Sequence, residues 1–299
     1  MILRLADRTT DDAEAFCALS NSLYARKVTP EYFFWQFHDG PNRPSLATAW
    51  EDGRMIAAYG VHVCAGDATR PARAMTLDNM VAEDAQGRGL VRQVAALAHE
   101  HARGAGTDVL CVVANARSLR AHERHFGWQR WRTLRDWQAT TSGARDVDAQ
   151  VVEVAAPDAG LATLQTDAFY ARTPDFLSWR TQANPRYAYR WVEVRSSAGL
   201  RLGQAATKLF RDPTSGAGFG DIVALHVPDS GDVPRLVGAL QHWFRTQAVS
   251  TVVTYPIGSD QERALLRLGF EPTARERYVV GQGQQPPRLS WGMLDVDVY

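Results

Sequence analysis

Met75-Thr-Leu-Asp-Asn-Met-Val-Ala82, followed by Gln86-Gly-Arg-Gly-Leu90 and running on to Trp128, is the stretch whose reading decides the fold. Its first part reads as a strand, and the residues after the two glycines read as a helix from Leu90 to about Arg103. Gly87 and Gly89 let the backbone turn tightly and present its N–H groups outward. The helix then starts with unpaired amides and the positive end of its dipole, so the turn is a cradle for an anion such as a phosphate. Arg88 and Arg92 add positive charge on the same turn. Gly104-Ala-Gly106 stops the helix, Asp108-Val-Leu-Cys-Val-Val113 reads as a second strand, and Asn115-Ala-Arg-Ser118 opens a second helix that closes at Phe126-Gly-Trp128. The order is strand, anion loop, helix, strand, helix.

Two familiar glycine motifs do not fit. A dinucleotide fingerprint needs a third glycine at position 92, where this chain has Arg92. A nucleotide-triphosphate loop needs Gly-Lys-Ser or Gly-Lys-Thr after the turn, and none is present. A third reading, that the glycines serve only a strand-to-helix turn, has to be weighed against what else lies at fixed spacing.

These residues resemble the GNAT family of acyl-CoA-dependent N-acyltransferases over roughly residues 1 to 138. Gln86 and Gly89 match the family's loop, while Val91 stands where a small residue is usual. Asn115 before a helix and the closing Gly127-Trp128 match further family landmarks. The resemblance implies a site for acetyl-CoA or another acyl-CoA, with no metal. Its pyrophosphate would sit on the loop and helix start at Gln86, Gly87, Arg88, Gly89, Leu90, Val91 and Arg92. Its pantetheine arm would meet the backbone of Met80, Val81 and Ala82, with Asn115 beside it.

A second pattern concerns the whole chain. Thr29-Pro-Glu-Tyr-Phe-Phe-Trp-Gln-Phe-His-Asp-Gly-Pro41 recurs 144 residues on as Thr173-Pro-Asp-Phe-Leu-Ser-Trp-Arg-Thr-Gln-Ala-Asn-Pro185. Phe126-Gly-Trp128 is echoed by Leu268-Gly-Phe270, and Val109 to Val113 by Thr251 to Tyr255. An ordered series at near-constant spacing is a tandem duplication. The second copy has Val227-Pro-Asp-Ser-Gly-Asp-Val-Pro-Arg235 in place of the glycine loop, and its acids would repel a pyrophosphate. The expected architecture is therefore α/β, two tandem GNAT-like domains, each a mixed, bent sheet flanked by helices. Residues 1–138 would bind acyl-CoA, 139–149 would link, and 150–299 would be a degenerate copy shaping the acceptor site.

Composition agrees. With 299 residues, 45% of them hydrophobic, the chain can bury two ordinary cores. Its 33 basic and 33 acidic residues leave no net charge and no like-charged block, which argues against nucleic acid or an anionic membrane as a partner. No apolar run is long enough to span a bilayer and the N-terminus reads as a first strand, so the expected location is cytoplasmic. Cys17, Cys64 and Cys111 lack pair spacing and read as buried small hydrophobes.

In direct transfer, the amine loses a proton and a backbone amide near Met80 or Val81 stabilises the oxyanion. Asp78, just before that segment, is the candidate base, against a purely structural role. The family's tyrosine acid falls here on Glu123, so His122, with His125 nearby, is the candidate proton donor, against a solvated helical histidine. His62, on an alternating strand, could face either the cleft or solvent. The aromatics around Trp35 and Trp179 are either a core stripe or a stacking platform. A narrower resemblance, to tandem GNAT proteins of bacterial surface-polysaccharide and amino-sugar biosynthesis, rests on Trp35 with Gly40-Pro41, Asp78-Asn-Met-Val81, and Trp291 with Asp295-Val-Asp297. It implies an amino-sugar acceptor, free or nucleotide-linked, as a small-molecule partner; a homodimer stays open. The rivals are another small amine, with Asp221, Asp229, Asp232, Asp295 and Asp297 making an acidic cleft for a polyamine, and a non-catalytic acyl-CoA-binding protein.

Overall fold

The computed structural model describes residues 1–25, 27–66, 71–143, 147–158, 168–212, 215–256, 259–283, 285 and 291–296. In chain order the strands are β1 (Ile2–Leu5), β2 (Pro44–Glu51), β3 (Arg54–Cys64), β4 (Arg73–Val81), β5 (Val109–Ala114), β6 (Gln129–Thr140), β7 (Ala149–Val154), β8 (Tyr189–Ser196), β9 (Arg201–Arg211), β10 (Gly218–His226), β11 (Thr251–Thr254) and β12 (Glu271–Gly281). The helices are α1 (Thr10–Leu23), α2 (Pro30–Phe37), α3 (Leu90–Gly104), α4 (Ala116–Phe126), α5 (Pro174–Leu177), α6 (Val233–Thr246), α7 (Ser259–Arg267) and α8 (Met293–Val296). They fall into two units, Met1–Thr133 with Arg277–Pro286, and Leu134–Glu276 with Pro287–Tyr299.

In the first unit the strand order is β1-β2-β3-β4-β5, followed by the last residues of β12. β1 to β4 run antiparallel, β4 and β5 parallel, and Tyr278–Gly281 run antiparallel on Ala114–Cys111, so the sheet is mixed. The late segment is tied in twice more, by Gln282 N–H donating to the Leu110 carbonyl at 2.9 Å and by the Trp131 indole donating to the Gly283 carbonyl at 2.8 Å. Gly281 lies against the Trp131 ring with no room for a Cβ. On the sheet, Phe16 of α1 meets Phe33 and Phe37 of α2 at ring separations of 5.5 and 5.4 Å, all three fully buried. Trp35 and Trp179 are buried as well, so the aromatics of the repeated segment are core.

The second unit repeats this order. Each strand from β7 to β12, and each of α5, α6 and α7, begins 142 to 147 residues after its counterpart among β1 to β6, α2, α3 and α4. The counterpart of α1 would fall on residues 154–167, most of which lie outside the described residues. The strand order is β6-β11-β10-β9-β8-β7, with β10 and β11 parallel. Leu236, Val237, Leu240 and Phe244 of α6 pack with Val192, Val194, Ile222, Val252 and Phe270 in one core. The closing Trp291 and Asp295 are buried: Asp295 pairs with Arg172 at 2.7 Å and accepts from the backbone N–H groups of Tyr170 and Gly292. Asp297 lies outside the described residues.

The boundary between units falls within β6 and within β12. Ala139 and Thr140, expected in a linker, sit in β6 opposite Val252 and Thr251, and the Thr141 hydroxyl donates to the Val249 carbonyl at 2.6 Å. Residues 144–146 of the expected linker lie outside the described residues. A sequence can show small polar residues; it cannot show that a strand continues through them.

Candidate active site

The site begins as an irregularity in β4. Leu77 stands opposite Gly60 and Met80 opposite Ala58, which leaves Asp78 and Asn79 against the single residue Tyr59 as a bulge. Asp78 has φ +47°, a left-handed backbone that aspartate accepts more readily than most residues. The parallel pairing of β4 with β5 ends at Met75 opposite Cys111. Beyond it β4 keeps β3 on one side only, and its other edge opens onto a cleft.

The second wall is the glycine turn. Gly87 and Gly89 have φ +79° and +74°, conformations that cost other residues roughly 1–2 kcal/mol each. A Cβ at either would meet nothing within 4 Å, so the space in front of the turn is open. Gly89 caps α3 without a side-chain hydrogen bond and no acid stands in the first turn, so the leading amides and the dipole are left for a ligand. The two walls enclose about 900 Å³ together with one face of α4 and the end of α1.

Met80, Val81, Gln86, Gly87, Gly89, Leu90, Val91, Arg92 and Asn115 all line this cleft. The Asn115 side chain caps α4, accepting from the Ser118 N–H at 2.9 Å. Ala82 and Arg88 do not line it, and neither does Asp78, although its bulge neighbour Asn79 does. The Ala82 amide completes the sheet by donating to the Ile56 carbonyl at 2.9 Å, and its side chain is buried. The Arg88 guanidinium turns to Glu51, making paired bonds of 2.9 and 2.6 Å, and its charge is spent there.

His122 is also placed elsewhere than expected. It is 1% exposed, its Nδ1 donates to the Ser118 carbonyl at 2.8 Å, and its Nε2 faces the Tyr59 hydroxyl at 3.3 Å. Tyr59 also reaches His99 Nε2 at 3.3 Å, and His99 stacks on Trp128 at 5.4 Å. Burial pushes both histidines down, His99 to about 4, so this cluster is a neutral part of the core. Helical periodicity could not foresee it, because His122 takes the inward face of α4 and leaves the cleft to the exposed His125. His62 is buried against Gln36, facing its carbonyl at 2.9 Å. The sequence reading missed Tyr24, Arg117 and Arg124, all of which line the cleft. Arg117 lies inside the quoted Asn115-Ala-Arg-Ser118 motif, whereas nothing around Tyr24 signals a site.

Residues 13–128 match the Acetyltransferase (GNAT) family. No curated protein matches the chain by sequence. Among solved structures it is similar to a tandem GNAT protein from the clavulanic acid biosynthesis pathway, with a TM-score of 0.63 and 17% identity over 96% of this chain and 99% of that one. A conserved Enterococcus faecalis V583 protein of unknown function, a "Probable N-Acyltransferase", gives 0.67 and 10% over 94% and 73%. A glucosamine N-acetyltransferase region in a fungal multi-domain β-N-acetylglucosaminidase gives 0.61 and 14% over 94% and 38%. At these identities the likenesses establish the fold, tandem GNAT-like and mixed α/β. The family match at residues 13–128, at the segment that builds the cleft, and the fold of the whole chain together support an acyltransferase of the GNAT type.

Proposed function

We propose that the protein transfers an acetyl or other short acyl group from acyl-CoA, held in the cleft of the first unit, to the primary amine of a small molecule, an amino-sugar either free or nucleotide-linked. The observation that carries the donor site is the meeting, in one cleft, of the left-handed glycine turn, the uncapped start of α3 and the open edge of β4. The residues fit the donor: open space at the turn takes the phosphates, Arg92 adds a cation, and the β4 edge at Met80 and Val81 supplies backbone groups for the extended arm.

The chemistry is a direct transfer. The amine nitrogen attacks the thioester carbonyl carbon, the C–S bond breaks, Asp78 takes the amine proton, and the departing thiolate is protonated from His125 or solvent. Oxyanion stabilisation falls to the β4 backbone. The fungal relative's named acceptor, glucosamine, supports the amino-sugar reading. A polyamine acceptor loses its support, because among the described residues the acids meant for it are engaged within the second unit. Asp221 pairs with Lys208 at 3.0 Å, Asp295 with Arg172, and Asp229 accepts from the Gly231 N–H. The test is thiol release from acetyl-CoA and longer acyl-CoA donors against nucleotide-linked amino-sugars, free amino-sugars, polyamines and aminoglycosides. Activity confined to the amino-sugars is the expected result, and activity confined to the polycations would overturn it.

A further inference from the structure

Arg92, Arg117 and Arg124 line the cleft, and among the described residues none of them makes an ion pair. Arginines nearby are held, Arg88 by Glu51 and Arg54 by Asp84. The lining carries three arginines against one carboxylate, Glu83, and among the described residues none of the three is paired with it, so the cleft favours anions. The three are not equivalent. Arg92 stands in the first turn of α3 beside the glycine turn, where the donor's phosphates belong. Arg117 stands in the first turn of α4, and Arg124 lies seven residues along, about 10 Å away at the usual helical rise.

Arg117 lines the same cleft as Tyr24, which leaves the end of α1 half exposed, and Asn79 of the bulge. Burial raises the Tyr24 phenol, the charge of Asp78 raises it further and that of Arg117 opposes, so the phenol lies within electrostatic reach of both. Asp78 itself does not line the cleft, but its bulge neighbour Asn79 does, together with Tyr24 and Arg117, whose guanidinium has no ion-pair partner among the described residues. A polycation would be repelled by Arg117. A neutral amine would leave it unused.

Resting on the reading that acyl-CoA occupies this cleft, we propose that the amine acceptor carries an anionic group, a carboxylate or phosphate a few bonds from the nitrogen, which Arg117 binds. Arg117 is then a specificity-determining residue. Among amino-sugars the proposal selects phosphorylated or nucleotide-linked forms over free ones. Bidentate guanidinium recognition suits both anions.

The test measures thiol release from acetyl-CoA with matched acceptors: amino-sugar phosphates against free amino-sugars, α-amino acids against their amides, and polyamines as the cationic arm. Calorimetry of CoA on the same full-length protein runs alongside. The expected result is at least a tenfold higher kcat/KM for the anion-bearing member of a pair, with phosphate and carboxylate pairs telling the two sources apart. Arg117→Gln should erase that preference through the acceptor KM, leaving CoA affinity unchanged, and Arg117→Lys should restore part of it. The proposal is overturned if neutral or polycationic amines are preferred, if no anion-bearing amine is turned over, or if Arg117→Gln changes CoA affinity instead of acceptor KM. CoA binding by the unsubstituted protein leaves the donor site standing in each of those cases, whereas its absence removes the reading beneath the proposal.

Discussion

After β4 the first unit turns through Gly87 and Gly89 into α3; after β10 the second turns through Asp229 to Asp232 into α6, with a proline in the first helical turn. In the second turn Asp229 accepts from the Gly231 N–H at 2.8 Å and Asp232 lies 3.5 Å from Arg235, so acids of the chain occupy the place that the first unit leaves open. The strands are alike even in their defects. β10 carries a bulge at Val223, the position that matches Asp78, and Val223 is buried. The bulge therefore belongs to the shared scaffold, and the carboxylate on it belongs to the first unit alone. Duplication kept the fold and changed the two places where an acyl-CoA and an amine would be handled.

The largest effect that would break this contrast is at the bulge. Asp78→Asn keeps a side chain that tolerates the left-handed backbone and removes the base. Turnover should fall about 10²-fold or more with CoA affinity unchanged. Steady-state kinetics beside calorimetry checks this, and near-normal turnover would pass the base to solvent.

Next is the turn. Gly89→Leu adds backbone strain of roughly 1–2 kcal/mol and projects a side chain into the open space before α3. The protein should stay folded by circular dichroism and bind CoA at least tenfold more weakly. Unchanged binding would mean the cradle is elsewhere. Placing a bulky side chain at Gly231 of the second unit should not affect CoA binding.

A pH effect should follow from His99 in the first unit. Its folded pKa lies near 4, below the usual value of 6.5, so the unfolded chain binds the proton more readily. Its contribution is present in full above about pH 6.5 and is lost as pH falls towards 4, amounting to at most roughly 3 kcal/mol. His99→Phe should flatten that part of a denaturation-midpoint profile, and an unaltered profile would show that the histidine does not titrate on unfolding. The smallest effect is expected at Arg88→Ala, which breaks a solvent-screened surface pair with Glu51 and should leave stability nearly unchanged and CoA affinity within threefold.

Much of this was legible in the residues. The glycine turn, the flanking strands and the duplication carry their own spacing, and nine of the eleven residues expected at the donor line one cleft. What was not legible depended on side chains choosing partners. Arg88 finds Glu51 from a distant strand, and His122 turns inward because α4 packs that face on Tyr59 and Trp128. The strand that completes the first sheet was equally hidden, since Tyr278–Gly281 come from the end of the second copy. A fragment ending near residue 140 would lack that strand and expose the edge of β5, so tests of the first unit need the full chain.

The most direct measurement is the calorimetric stoichiometry of CoA on the full-length chain. One site per chain is expected, abolished or strongly weakened by Gly89→Leu. Two equivalent sites per chain, or one site indifferent to Gly89, would contradict it.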